Sequence, residues 1–213
     1  MIRITVKGLA KFMTSGFAGQ RKILHDFKFP DPEGGVQAAY YADARRAIKE
    51  YHDSENDAAV IAYAVDDLKG KAHRETERKR TRLEHNIRAL ESYLDNFGDK
   101  NFKVLAMPEL KYSRGAVVVS AIPDLCVQQD GRKKLIKLDF GSKEPDTKLV
   151  NIIIQVIYQA ASSEGLPVTP KDVIYLDVPR GRVHKGARVR TRLNKEIQAA
   201  CDNIEALWPG IKR

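Results

Sequence analysis

The hydrophobic pattern changes period at Gly98, and no other feature of the chain limits the possible folds as strongly. Before that point Leu83, Ile87, Leu90, Leu94 and Phe97 recur at three-and-four spacing, the stripe of an amphipathic helix that Gly98 would close. Upstream, Ala44, Ile48 and Tyr51, then Val60, Ile61, Ala64 and Leu68, repeat the same spacing. They predict two helices within Gln37–Leu68, broken near His52–Asn56. The charged run Lys69–Arg82 reads as the solvated first turns of the helix that follows. Residues 1–35 read as irregular, with a short alternation at Ile2, Ile4 and Val6 and a breaker-rich loop at Phe29–Gly35.

After Gly98 the residues are β-branched and the runs are short. Phe102–Ala106 is strand-like, and Tyr112–Gly115 has the composition of a turn. Ala116–Ile122 is a continuous apolar run that suits a buried strand, continued by Leu125–Gln128. Asp130-Gly131 signals a tight hairpin before the next strand, Lys134–Phe140, so the strands are expected to form one meander. Asp146–Ser163 reads as a helix capped by Asp146 or Thr147, Lys171–Val178 as a strand, Pro179–Ala187 as a basic loop and Arg192–Leu207 as a closing helix. This order predicts an α/β sandwich around a central mixed sheet with an N-terminal helical extension. The expected division is a helical region over 1–80 and the sheet-bearing domain over 81–213.

A chain of 213 residues buries a sufficient core without disulfide staples. Its two cysteines, Cys126 and Cys201, lie in apolar runs and read as reduced, packed thiols. No signal-peptide pattern and no membrane-length apolar run is visible, so the expected setting is the cytoplasm with no membrane partner. The net charge of +9 favours a polyanionic partner, nucleic acid above all.

The residues with the clearest chemical meaning are two acids on successive strands. Ile122-Pro123-Asp124 ends the first apolar run, and Lys137-Leu138-Asp139 lies in the next strand. Two carboxylates brought together there make an oxygen-rich pocket suited to Mg²⁺ or Mn²⁺. A cation so held polarises a phosphodiester and activates water, and a neighbouring lysine stabilises the developing charge. An acid between Leu138 and Phe140 in a central strand demands compensation by a cation, and Lys137 or Arg132 is the alternative to a metal.

Pro123-Asp124, Asp139 and then Gln155 and Tyr158 on the following helix resemble the ordered motifs of the PD-(D/E)xK nuclease superfamily, in its RecB-type branch. The likeness covers about Ala116–Val178. It implies a restriction-endonuclease-like sandwich that hydrolyses the phosphodiester bonds of DNA with Mg²⁺ or Mn²⁺. Asp124 and Asp139 would hold the metal, and Gln155 and Tyr158 would help to build the site. The pattern calls for a lysine two residues after the second acid, and this chain has Gly141 there. Lys143, Lys137 and, from the next helix, Lys148 are the replacements, in that order. The superfamily also tends to carry an acid or histidine on the helix before the sheet, for which Glu84, His85 and Glu91 are candidates and Glu91 the expected metal ligand.

Between Arg180 and Arg192 the chain carries Arg180, Arg182, Lys185, Arg188, Arg190 and Arg192 with no acid among them. Such a segment suits sequence-independent phosphate contacts. Three functions remain open on these residues. They are a metal-dependent nuclease, a non-cleaving relative that binds nucleic acid alone or within a larger complex, and a partner-binding protein docking through its helical region.

Overall fold

The computed structural model describes residues 1–30 and 40–213 of the chain. It is a mixed α/β fold with two mixed sheets. The smaller sheet has the order β1-β4-β3, from Ile2–Thr5, Val117–Ser120 and Lys111–Arg114. The larger has the order β2-β5-β6-β7-β8, from Lys103–Val104, Leu125–Gln129, Arg132–Asp139, Val173–Asp177 and Arg182–Lys185. Among the described residues five helices precede β2: α1 (Val6–Thr14), α2 (Phe17–Lys28), α3 (Ala42–Asp53), α4 (Ala58–Ala72) and α5 (Glu77–Phe97). α6 (Thr147–Ser163) crosses from β6 to the parallel strand β7, and α7 (Thr191–Leu207) closes the chain.

Residues 1–28 depart most from the sequence reading, because they are regular. Ile2 and Ile4 face inward, and β1 pairs in parallel with β4 from Ile2↔Val117 to Thr5↔Ser120. Thr5 then caps α1, its hydroxyl accepting the Gly8 N–H at 3.0 Å. The alternation is only a few residues long, and it becomes a strand because β4 offers a partner more than a hundred residues away. The breaker-rich stretch falls largely on residues 31–39, outside the described residues.

The expected single meander is two separate pieces. Tyr112–Arg114 is strand rather than turn, and the reversal is at Gly115, where φ is +54°. β4 pairs with β1 and β3, whereas β5 and β6 form a hairpin in the other sheet. Pro123-Asp124 is therefore the crossing between sheets, not a kink within one strand. The hairpin turn is as expected: Asp130 and Gly131 both have positive φ, the geometry a two-residue loop requires. The charged run is also divided, since α4 ends at Ala72 and α5 starts at Glu77. Of the basic loop, Arg182–Lys185 is strand, paired with β7.

Side chains of the larger sheet alternate between two hydrophobic clusters. Leu125, Val127, Ile136, Leu138, Ile174 and Leu176 pack with α3, α4 and α5. Cys126, Leu135, Val173 and Tyr175 face α1, α6, α7 and the smaller sheet. Residues 1–28 thus share a core with the C-terminal half. No helix among the described residues is long and apolar enough to cross a membrane.

Candidate functional site

By alternation, the odd-numbered residues of β6 and β7 face the cluster built around α6. Lys137 and Asp139 on β6, and Tyr175 and Asp177 on β7, therefore stand on one face, with Lys137 beside Tyr175 and Asp139 beside Asp177. Asp124 joins them across the hairpin: its Oδ2 accepts the Leu138 N–H at 2.8 Å, and its Oδ1 accepts from Lys137 Nζ at 3.2 Å. Three acids therefore gather at one end of the sheet, all buried or nearly so.

Each is answered by a cation of the protein. The Lys7 ammonium at the start of α1 donates to Asp139 Oδ1 at 2.9 Å. Asp124 has Lys137 and, from α3, the Arg45 guanidinium 3.0 Å away, an ion pair without hydrogen-bond alignment. Arg180 donates to Asp177 Oδ1 at 2.9 Å. The compensation of Asp139 therefore comes neither from Lys137, which serves Asp124, nor from Arg132, which pairs with Asp172.

The oxygens left over are informative. Asp177 Oδ2 and the Tyr175 hydroxyl are buried without an aligned partner, although the hydroxyl is turned toward Asp139. Burial, and then Asp139, push the Tyr175 phenol well above its ordinary range, so it is a neutral hydroxyl at any working pH. His184 Nε2, on the neighbouring strand, is also buried and unpartnered, with its ring 6.0 Å from that of Tyr175.

The expected lysine position is vacant in a specific way. A Cβ on Gly141 would lie 3.4 Å from Asp139 Oδ2, so a side chain there would begin beside the acid. Lys143 is exposed on the loop after β6. That loop is held by Arg180, which donates to the carbonyls of Gly141 and Ser142, and by the Arg182–Glu144 ion pair. Lys137 is the one replacement candidate that touches an acid of the site, Asp124. Lys148 is exposed on the first turn of α6.

Glu84 and Glu91 are exposed on α5, which packs on the opposite face of the sheet, so Glu91 is not brought to the aspartates. His85 bonds to the Tyr40 hydroxyl through Nδ1 at 2.7 Å. Gln155 is buried, and its Oε1 accepts the Arg190 N–H at 3.4 Å, so it meets the basic segment. Tyr158 is half-buried against the same core. Of the basic residues, Arg180 and Arg182 are engaged by acids, and Arg192 pairs with Glu196. Lys185, Arg188 and Arg190 are exposed and have no ion-pair partner among the described residues.

Lys7, Arg45, Tyr175 and Asp177 were not evident as site residues. Asp177 carried a usable signal, because Tyr175-Leu176-Asp177 repeats the pattern of an acid closing an apolar strand. Lys7 carried none. It lies 132 residues from Asp139, in a segment with no local mark of function.

The donor set does not fit a divalent ion held by Asp124 and Asp139, since a protein cation already stands at each carboxylate. Among the described residues no three histidine, cysteine or acidic side chains gather in a group that could hold a metal. Compared with known families and curated proteins, the chain matches no family model and no curated protein sequence.

Proposed function

We propose that this protein is a non-cleaving relative of the PD-(D/E)xK nucleases that binds nucleic acid, with its larger sheet and α6 as a degenerate restriction-endonuclease-like core. The single observation that carries this reading is the protein cation at each acid. Lys7 neutralises Asp139, and Lys137 with Arg45 neutralises Asp124, while Gly141 stands where the lysine of a working site belongs. Buried carboxylates need a positive partner, and here the chain supplies it without an ion from solution. The acids then serve to hold α1 and α3 against the sheet. Nucleic acid would be held by the exposed cations of the segment after β8, alone or within a larger DNA-processing or defence complex.

The rival reading is a nuclease using Mg²⁺ or Mn²⁺, and the nearness of Asp124, Asp139 and Asp177 at one end of the sheet favours it. The two are separated by incubating the protein with labelled single- and double-stranded DNA and RNA in either ion. The expected result is binding that weakens steeply with salt and leaves every substrate intact. Cleavage lost in both Asp124→Ala and Asp139→Ala would overturn the proposal in favour of the nuclease.

A further inference from the structure

The basic segment does not act as a unit, because its two ends do different work. Arg180 and Arg182 fasten the loop after β6. Beyond β8 the chain turns back across α6. Here Arg188 and Arg190 face Thr147, Lys148 and Asn151 of the first α6 turns across an open groove. Lys148, Arg188 and Arg190 are all exposed, and none has an ion-pair partner among the described residues. Two acids are nearby, and both are engaged: Glu196 receives Arg192 at 3.1 Å, and Asp146 accepts the Lys148 N–H at 2.7 Å.

The second observation comes from the helix itself. Gln155 lies one turn beyond Asn151 on the same face of α6 and is 3% exposed. Its Oε1 takes the Arg190 N–H, but its Nε2 is buried with no acceptor. A buried amide donor without a partner is costly, and such groups in folded proteins usually have an acceptor. Gln155 sits below the groove rather than in its lining, and its tie to the Arg190 backbone sets where that side of the groove stands over α6.

We infer that the groove between the first turns of α6 and residues 187–192 is a phosphate-binding site. Lys148, Arg188 and Arg190 are its cations, and Gln155 lies beneath it, holding the Arg190 N–H. This deepens the proposed function by placing the nucleic-acid contact away from the acids, and it rests on that reading only for the identity of the polyanion. Gln155 is then a positioning residue for Arg190 rather than part of a catalytic constellation. The ligand is a phosphate group flanked by others, as in a nucleic-acid backbone or an inorganic polyphosphate.

The test measures binding of a fluorescent single-stranded oligonucleotide by anisotropy, and of inorganic tripolyphosphate by calorimetry. The proteins compared are the wild type, a Lys148→Ala/Arg188→Ala/Arg190→Ala triple and a Lys49→Ala/Lys71→Ala/Lys79→Ala triple. The last three side chains stand on the N-terminal helices, each ion-paired with an acid four residues away. The groove triple should lose about tenfold or more in affinity for either probe, with a salt slope shallower by about two to three, whereas the distant triple stays near wild type. Gln155→Leu removes the carbonyl that holds the Arg190 N–H but no charge, so it should weaken binding by less than the groove triple and leave the slope unchanged. Equal losses in the two triples, or no tripolyphosphate binding by the wild type, would overturn the site. Tripolyphosphate bound in the groove with no affinity for the oligonucleotide would keep the site and remove the nucleic-acid reading. Oligonucleotide binding unaffected in the groove triple would do the reverse.

Discussion

Asp139 and Lys7 show how much a single pair decides. The carboxylate is almost fully buried and the ammonium is half exposed, so the pair is partly screened and its removal costs less than that of a sealed ion pair. Lys7→Met should destabilise the protein by about 2 kcal/mol, because Asp139 is left without its cation. Adding Asp139→Asn should recover most of the loss, and urea unfolding of the two single variants and the double measures it. A loss in the double variant equal to the sum of the two single losses would show that the pair is not coupled. Gly141→Lys is the complementary change. The position has no positive-φ demand and room for a Cβ, so the variant should fold and set a second ammonium beside Asp139. Under the proposed function it alone restores no cleavage, because Lys7 still occupies the acid.

At the scale of elements, α3 and α5 are joined through a buried histidine. His52 Nε2 meets the Tyr93 hydroxyl at 2.6 Å, and Nδ1 meets Asn56 Oδ1 at 2.5 Å. Burial lowers the His52 pKa from its ordinary 6.5, with the Asn56 bond opposing, so the ring is neutral in the fold. The unfolded chain then takes up the proton first as pH falls. The stability contributed by the neutral ring is complete above pH 6.5 and declines below it toward the lower folded value, by at most about 1.4 kcal/mol per pH unit. Thermal melts between pH 7.5 and 5 should show the decline in the wild type and a flatter profile in His52→Gln. A second element-scale device lies at Asp172, on the turn before β7. Burial alone would raise its pKa, but bonds from Lys134 and Thr169 more than offset that and hold it well below the carboxylate range. Asp172→Asn should cost about 2 kcal/mol near neutrality, and the difference from wild type should shrink as pH drops through the wild-type carboxylate range.

For the whole molecule, the two clusters lie on opposite faces of one sheet, and β1 and α1 complete the face that carries the acids. Trp208, the only tryptophan, reports on this arrangement: Lys28 of α2 donates to its carbonyl at 2.7 Å and lies 5.6 Å from its ring. Urea transitions followed by Trp208 fluorescence and by helical circular dichroism should coincide, because the helical N-terminal part shares its core with the sheet. Two separated transitions would show that the helices α3–α5 unfold independently. Phe12→Ala, which empties a fully buried position on α1, should shift both signals together by about 3–5 kcal/mol.

The sequence by itself was enough for whatever is decided by neighbours along the chain. The α5 stripe, the Asp130-Gly131 hairpin, a cap of α6 at Asp146 or Thr147 and the shared side of Lys137 and Asp139 all follow from backbone periodicity and local hydrogen bonding. The tertiary structure alone decided which strands share a sheet and which cation meets each acid. The brief alternation of β1 becomes a strand only beside β4, and Lys7 and Arg45 reach Asp139 and Asp124 only once α1 and α3 have packed. A buried charge demands compensation wherever it lies, so the need for a partner was readable from Leu138-Asp139-Phe140. The partner's identity depended on chain segments that meet only in the folded molecule.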